Sequence, residues 1–293
     1  MTPDPQSFAA RLDGRIAKLP PLPEALRAVW QALDKENLSI TQCVRLIEQD
    51  SVLAGRTLRM ANSAFYGLAG RVARIGDAVN LLGLRAMGSM LAAVSIGDAL
   101  KPAAAPAGWS LRGYTRHAVA AAVAARALAP RLGVDAEQAF LAGLMHDIGQ
   151  LVLVSQFATE AAAVRAHAQA GDLPSHLAEQ AVLGMDHAEI GARLARHWRF
   201  PALISEAMAN HHQPGGALMD GVDGVDGVAD LTVLIHVGDA MAHALDLADE
   251  PDEAVPPLDA AAWLKLRLDE PAALALLARI EAEARTMSEA LGS

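Results

Sequence analysis

Ala142-Gly-Leu-Met-His-Asp-Ile-Gly149 is the stretch on which the reading of this sequence turns. Phe140, Leu141 and Leu144 give the segment an apolar helical face, and His146-Asp147 stands at the end of it. An imidazole and a carboxylate placed there lose water on folding, which is costly unless something satisfies both. Neutral imidazole and ionised carboxylate are both ligands of divalent first-row metals, so a bound cation answers that need at once. Gly149 reads as the stop of this helix, predicted over 136–148, with the next predicted over 150–170.

Working outward, all ten histidines lie in the second part of the chain, and none precedes His117. His117 sits one turn before Ala121, Ala124 and Leu128 on a helix predicted over 112–130. His187 opens a helix whose apolar stripe is Ile190, Gly191, Leu194 and Trp198. His211-His212 ends the helix that carries Leu203, Ile204 and Met208. Asp239 continues the line Leu231, Ile235, Asp239, Ala242. Taken singly, a His or Asp on such a stripe is more often a hydrogen-bonded core residue than a ligand. The set His117, His146, Asp147, His187, His211, His212 and Asp239 is harder to dismiss, because each member lies on or beside a core-facing stripe and needs a partner there. Mutual metal ligation supplies one, and the set is too large for a single tetrahedral ion, so two metals bridged by Asp147 are expected. His167, His176, His197, His236 and His243 fit no pattern and read as ordinary surface or core histidines.

The chain has 293 residues, 53% of them hydrophobic and 4% aromatic. The apolar part is mostly Ala, Leu and Val, which favours helix throughout and an all-α fold. Pro102, Pro106 and Gly108 end helices on both sides and divide a predicted N-terminal helical lobe (1–100) from a second helical lobe (110–247). An acidic, proline-containing linker over 249–257 leads to a helical tail (258–293). The repeat Asp-Gly-Val over 220–230 has the wrong spacing for a calcium loop and is expected to be an exposed flexible loop. The net charge of -10 disfavours nonspecific nucleic-acid binding. The single cysteine, Cys43, excludes an internal disulfide and a cysteine-built zinc site. The opening Met-Thr-Pro-Asp-Pro has neither a basic start nor an apolar core, and no uncharged stretch nears the ~18 apolar residues of a membrane helix. A cytoplasmic protein without a membrane partner is expected.

The order of these histidines and aspartates resembles the HD superfamily of metal-dependent phosphohydrolases, including the HD-GYP branch that hydrolyses cyclic di-GMP. The wider sequence is more similar still to the HDOD family, the HD-related output domains of bacterial signalling. The resemblance runs from about residue 15 to 245. It rests on Leu19-Pro-Pro-Leu-Pro23, Asp50-Ser-Val-Leu53, Leu58-Arg-Met-Ala-Asn-Ser63, Ala78-Val-Asn-Leu-Leu-Gly83, Ala142 to Gly149, Gly184-Met-Asp-His-Ala-Glu-Ile-Gly191, Trp198-Arg-Phe-Pro201 and His211-His212. It implies an all-helical protein in which a helical N-terminal lobe packs on an HD-like lobe, and a signalling role. HDOD proteins are in general regarded as non-catalytic, and many have lost metal ligands, whereas this chain keeps most of them. It departs from the HD-GYP pattern at Gln150, where those hydrolases have lysine, at Gly113, where they have glutamate, and in lacking the Gly-Tyr-Pro segment.

Three functions follow as expectations. The first is a signal-transduction protein working through signalling partners or a nucleotide second messenger, with Arg56, Arg59, Arg71 and Arg74 as candidate contacts to an anion or acidic partner. The second is a phosphohydrolase acting on a cyclic dinucleotide or other nucleotide with two divalent ions, iron or manganese. The third is a relative that binds metal or nucleotide without turnover and uses occupancy as a switch.

Overall fold

The computed structural model describes residues 5–34, 39–68, 70–102, 105–215, 227–248 and 255–292. Among these the regular structure is entirely helical, as an Ala- and Leu-rich sequence dictates. The chain divides into two compact units: Met1–Leu19 with Leu100–Ile280, and Pro20–Ala99 with Glu281–Ser293. The repeat over 220–226 and the acidic segment over 249–254 fall outside the described residues.

The second of these units is built on α2 (Glu24–Asp34), α3 (Ile40–Gln49), α4 (Ser51–Ala61) and α5 (Ile75–Ala99). Prolines 20, 21 and 23 keep the chain out of helix until Glu24. Ser39 caps α3 by accepting from the Thr41 amide, and Asp50 caps α4 by accepting from Val52 and Leu53. The Asn62 side chain closes the connection to α5. Its amide donates to the Val72 carbonyl (2.7 Å) and its oxygen accepts from the Val72 amide (3.0 Å). By length and composition α5 passes for a membrane span from Ile75 to Ile96, although it is not the uncharged stretch sought in the sequence, since Asp77 and Arg85 lie within it. Yet 61% of that window is buried, and Gly83 (φ 84°, ψ 166°) breaks the helix into two pieces, each too short to span the ~30 Å hydrocarbon layer.

The histidine-bearing unit consists of α1 (Pro5–Ile16), α6 (Leu111–Leu128), α7 (Ala136–Met145), α8 (Ile148–Gln156), α9 (Ala158–Gly171), α10 (Ser175–Leu183), α11 (His187–His197), α12 (Ala202–Ala209), α13 (Val228–Ala244) and α14 (Ala260–Lys265). The last helix, α15 (Glu270–Leu291), is divided between the two units. α6 runs through the middle, with every residue from Ala118 to Ala125 buried. Its small side chains let α7 and α13 approach its backbone closely. A Cβ on Gly143 of α7 would lie 2.9 Å from the Ala121 carbonyl oxygen, and one on Gly238 of α13 would lie 3.0 Å from the same atom. α1 belongs to this unit through Phe8, whose ring lies 5.1 Å from that of Phe157, and through the pairs Arg11–Glu160 and Arg193–Asp13.

Helix boundaries near the signature differ from those expected. α7 ends at Met145, α8 starts at Ile148, and a further break at Phe157 (φ -139°, ψ 51°) separates α8 from α9. Gly149 is therefore no helix stop; it lies in the first turn of α8. A Cβ there would sit 2.0 Å from the His187 carbonyl oxygen, so only glycine lets α8 and α11 touch. Gly149→Ala must push α11 and His187 away. It is expected to lower stability by about 3 kcal/mol or more, read as a fall in urea midpoint with unchanged slope.

Candidate metal centre

The site lies where four helix ends and the interiors of two further helices converge. His146-Asp147 forms the non-helical joint between α7 and α8. His187 is the first residue of α11, whose cap Asp186 accepts from the Glu189 amide and is itself held by the Gln180 side chain (3.0 Å). His211 and His212 follow the end of α12, and His117 and Asp239 stand on α6 and α13. The structure brings together all of the histidines and aspartates singled out as ligands in the sequence, and all but the half-buried His212 are buried.

The geometry is that of side chains facing a common interior. Asp147 Oδ1 lies 3.0 Å from His187 Nε2, 3.3 Å from His146 Nε2 and 3.8 Å from His211 Nε2. Asp239 Oδ1 lies 3.0 Å from His117 Nε2, 3.4 Å from His146 Nε2 and 3.2 Å from His243 Nε2. His212 Nε2 is 2.8 Å from His187 Nε2, and His117 Nε2 is 3.3 Å from His146 Nε2. The other ring nitrogens are fixed from outside. His146 Nδ1 donates to the Gly143 carbonyl and His211 Nδ1 to the Met208 carbonyl, both at 2.7 Å. Those bonds leave each Nε2 aimed inward.

Two residues outside the predicted set shape the centre. Glu179 of α10 is buried, and its Oε2 accepts from both the His187 amide (2.6 Å) and His187 Nδ1 (2.7 Å). Gln150 Nε2 donates to Asp147 Oδ2 at 2.9 Å. Two of the histidines read as ordinary also belong here. His243 stands one helical turn after Asp239, and the His176 ring stacks on His212 at 4.1 Å. The i, i+4 spacing of Asp239 and His243 was a signal in the sequence; Glu179 left none, because its helix carries none of the expected ligands and shares the centre only through His176. His236 is structural as expected: Nδ1 donates to the His211 carbonyl and Nε2 accepts from the Asp259 amide.

The electrostatics follow from burying this group. For Asp147, burial disfavours the anion, but His146, His187 and His117 outweigh it and hold the carboxyl well below its ordinary range. Asp239 is held low in the same way by His243, His117 and His146. His187 is pushed well up, since Glu179 and Asp147 overcome its burial, and His146 rises likewise beside Asp147 and Asp239. Burial drives His211 down to about 3 and His212 well down, reinforced by neighbouring imidazoles. These shifts favour ionised Asp147 and Asp239, neutral His211 and His212, and the protonated forms of His146 and His187.

This donor set fits a divalent metal. His211 Nε2 and Asp239 Oδ1 are buried with no hydrogen-bond partner, a loss of about 1–3 kcal/mol each that a cation removes. Four triads have ligand atoms that all lie within 4.8 Å of one another: His187–His211–His212, His117–Asp239–His243, His117–His146–Asp147 and His146–His211–Asp239. Ligands bonded at about 2.1 Å around one tetrahedral ion stand about 3.4 Å apart, within the range of the contacts above.

A family model, the HDOD domain, matches residues 19–214. This chain belongs to the HDOD family. The HDOD match stops short of α13, so Asp239 and His243 lie beyond it. An uncharacterized protein of Treponema pallidum (strain Nichols) is 28% identical over 207 residues, a match that covers 70% of this chain and 40% of the relative. The chain therefore spans less than half the length of that relative. An HDOD domain protein of unknown function from Geobacter sulfurreducens, 21% identical, superposes with a TM-score of 0.76 over 98% of this chain and 97% of its own. At that identity the likeness shows the fold alone. A candidate phosphohydrolase from Shewanella amazonensis SB2B is 27% identical with a TM-score of 0.73, covering 96% and 97% of the two chains. A candidate signal transduction protein from Marinobacter aquaeolei VT8 is 25% identical with a TM-score of 0.76, covering 99% of this chain and 66% of that one.

The arginines predicted to meet an anion or acidic partner lie elsewhere, on the unit formed by Pro20–Ala99 with Glu281–Ser293. Arg59, Arg71 and Arg74 are exposed. Arg71 also donates to the Gly67 carbonyl (2.9 Å), and Arg56 is half-buried and donates to the Val94 carbonyl (3.3 Å).

Two outcomes are expected of the centre. Glu179→Gln weakens the hold on His187 Nδ1 and should lower divalent-metal affinity 10- to 100-fold with the helical circular dichroism kept, as measured by competition with a fluorescent chelator. Because their surroundings push His146 and His187 toward the protonated form and a ligand must lose that proton, metal uptake should release protons and weaken as pH falls. Calorimetry in buffers of different ionisation heat reads that release directly.

Proposed function

We propose that this chain is a regulatory HDOD protein of bacterial signalling that has kept an HD-type metal centre and acts by binding, not by turnover. The observation that carries this reading is the state of Asp147. Its Oδ1 faces His146 and His187, while its Oδ2 accepts from Gln150. Where the hydrolases it resembles have a lysine able to pair with phosphate, this chain has an amide that carries no charge and is occupied in orienting a ligand. The centre is thus arranged to hold a cation firmly and is poor in groups that would hold a phosphodiester.

His117, His146, Asp147, His187, His211, His212 and Asp239 would hold two divalent ions, iron or manganese by their mixed imidazole and carboxylate character. When bound, the metal supplies Lewis acidity and positive charge in a nearly dry site. The chain's own residues supply orientation. Glu179 fixes His187, the Gly143 and Met208 carbonyls fix His146 and His211, and Gln150 fixes Asp147. Solvent meets the cluster at its half-buried members, His212, His243 and Gln150. A ligand arriving there would change the charge of the whole group, which is the basis of a switch. The exposed Arg59, Arg71 and Arg74 are the proposed contacts to an acidic signalling partner or an anionic nucleotide.

The second reading, a phosphohydrolase acting on a cyclic dinucleotide or other nucleotide, draws support from the 27% identity to the Shewanella candidate phosphohydrolase. One comparison separates the two. Purified and Mn2+- or Fe2+-loaded wild type should retain metal, and a chain carrying His146→Ala with Asp147→Ala should lose it. The loaded wild type should leave cyclic dinucleotides and nucleoside phosphates intact. Release of phosphate or linear dinucleotide that depends on His146 and Asp147 would establish the hydrolase instead, and a wild type that takes up no metal would sink both readings.

A further inference from the structure

The Asp239 end of the cluster holds more donors than the sequence-derived set supplies. His117 of α6 and Asp239 of α13 face each other at 3.0 Å. One helical turn beyond Asp239, His243 reaches back so that its Nε2 stands 3.2 Å from the same Oδ1. The rings of His117 and His243 are 4.4 Å apart between centroids and inclined at 46°, so they are not stacked flat on one another. The three donor atoms lie within 4.8 Å of one another. Asp239 Oδ1 is buried and has no hydrogen-bond partner even though two imidazole nitrogens stand within 3.2 Å of it. Close nitrogen–oxygen approaches that are not linear hydrogen bonds are what ligands of one ion show when their lone pairs point at a shared centre.

This triad shares no residue with the triad His187–His211–His212 at the other end of the cluster, and His146-Asp147 lies between the two. We propose that His243 is a metal ligand, completing with His117 and Asp239 a cation site between α6 and α13 that is distinct from the one built on His187, His211 and His212. The assignment rests on the reading above that the cluster binds divalent metal, and goes beyond it in giving each end its own ligands. It also explains why the close approach at Gly238 matters: the Ala121 carbonyl, one turn after His117, and Gly238, next to Asp239, set the spacing of the two helices at this end. Two nitrogens and one carboxylate oxygen suit Mn2+, Fe2+ or Zn2+, and no thiolate or carbonyl is needed.

The test measures Mn2+ binding to the full chain by calorimetry, for wild type, His243→Ala and His243→Gln. Wild type is expected to bind two ions per chain. Each variant should keep one ion at unchanged affinity and bind the other at least tenfold more weakly, with thermal unfolding of the metal-free forms showing that they fold. A measurement on the wild type removes any question of folding. In 15N-histidine protein loaded with 113Cd2+, a ligating His243 shows one-bond coupling between its Nε2 and cadmium. Wild-type stoichiometry and affinity in the variants, or an uncoupled His243 beside coupled His187 and His211, overturns the role of His243 and leaves the metal centre standing. A wild type that binds no ion overturns the metal centre itself.

Discussion

Burying two carboxylates among imidazoles is the constraint on which the histidine-bearing unit depends. Asp147 and Asp239 are 4% and 3% exposed, and an unpaired carboxylate in such a place would protonate or drag in water. Both are instead held ionised by imidazoles at 3.0–3.4 Å. Without metal, the upward shifts of His146 and His187 favour protons that offset this charge, and His211 Nε2 and Asp239 Oδ1 still have no hydrogen bonds. A divalent ion bound there would displace such protons and satisfy both atoms.

Holding these groups at ligand distance demands close contact between helix backbones. The alanines of α6 and the glycines at 143 and 238 bring α7 and α13 against it, and Gly149 lets α8 lie on the first carbonyl of α11. The ligands cluster at helix ends, where the chain turns at His146-Asp147 and after Ala209. A residue at such an end can project into the interior while the helix behind it stays regular.

Gln150 and Glu179 set the character of the centre. Glu179 ties His187 by both its backbone and its ring, which favours a fixed, basic ligand. Gln150 does the same for Asp147 through an uncharged amide. Together they hold two members of the cluster in fixed orientation.

The sequence by itself determined the helical class, the caps at Ser39, Asp135 and Asp186, the break at Gly83 and the order of the principal histidines and aspartates. These are local matters: propensity, side-chain reach to a neighbouring amide, and a polar residue on an apolar stripe. What lay between distant segments could not be read in the same way. Gly149 carries the same signal whether it ends a helix or admits one, and only the carbonyl of His187 decides. Phe8 owes its place in the histidine-bearing unit to Phe157, far away in the sequence. Glu179 and His243 became part of the centre because folding set them beside His187 and Asp239. Tertiary structure decided these points because ligation and steric contact are properties of pairs, and a sequence presents its residues one at a time.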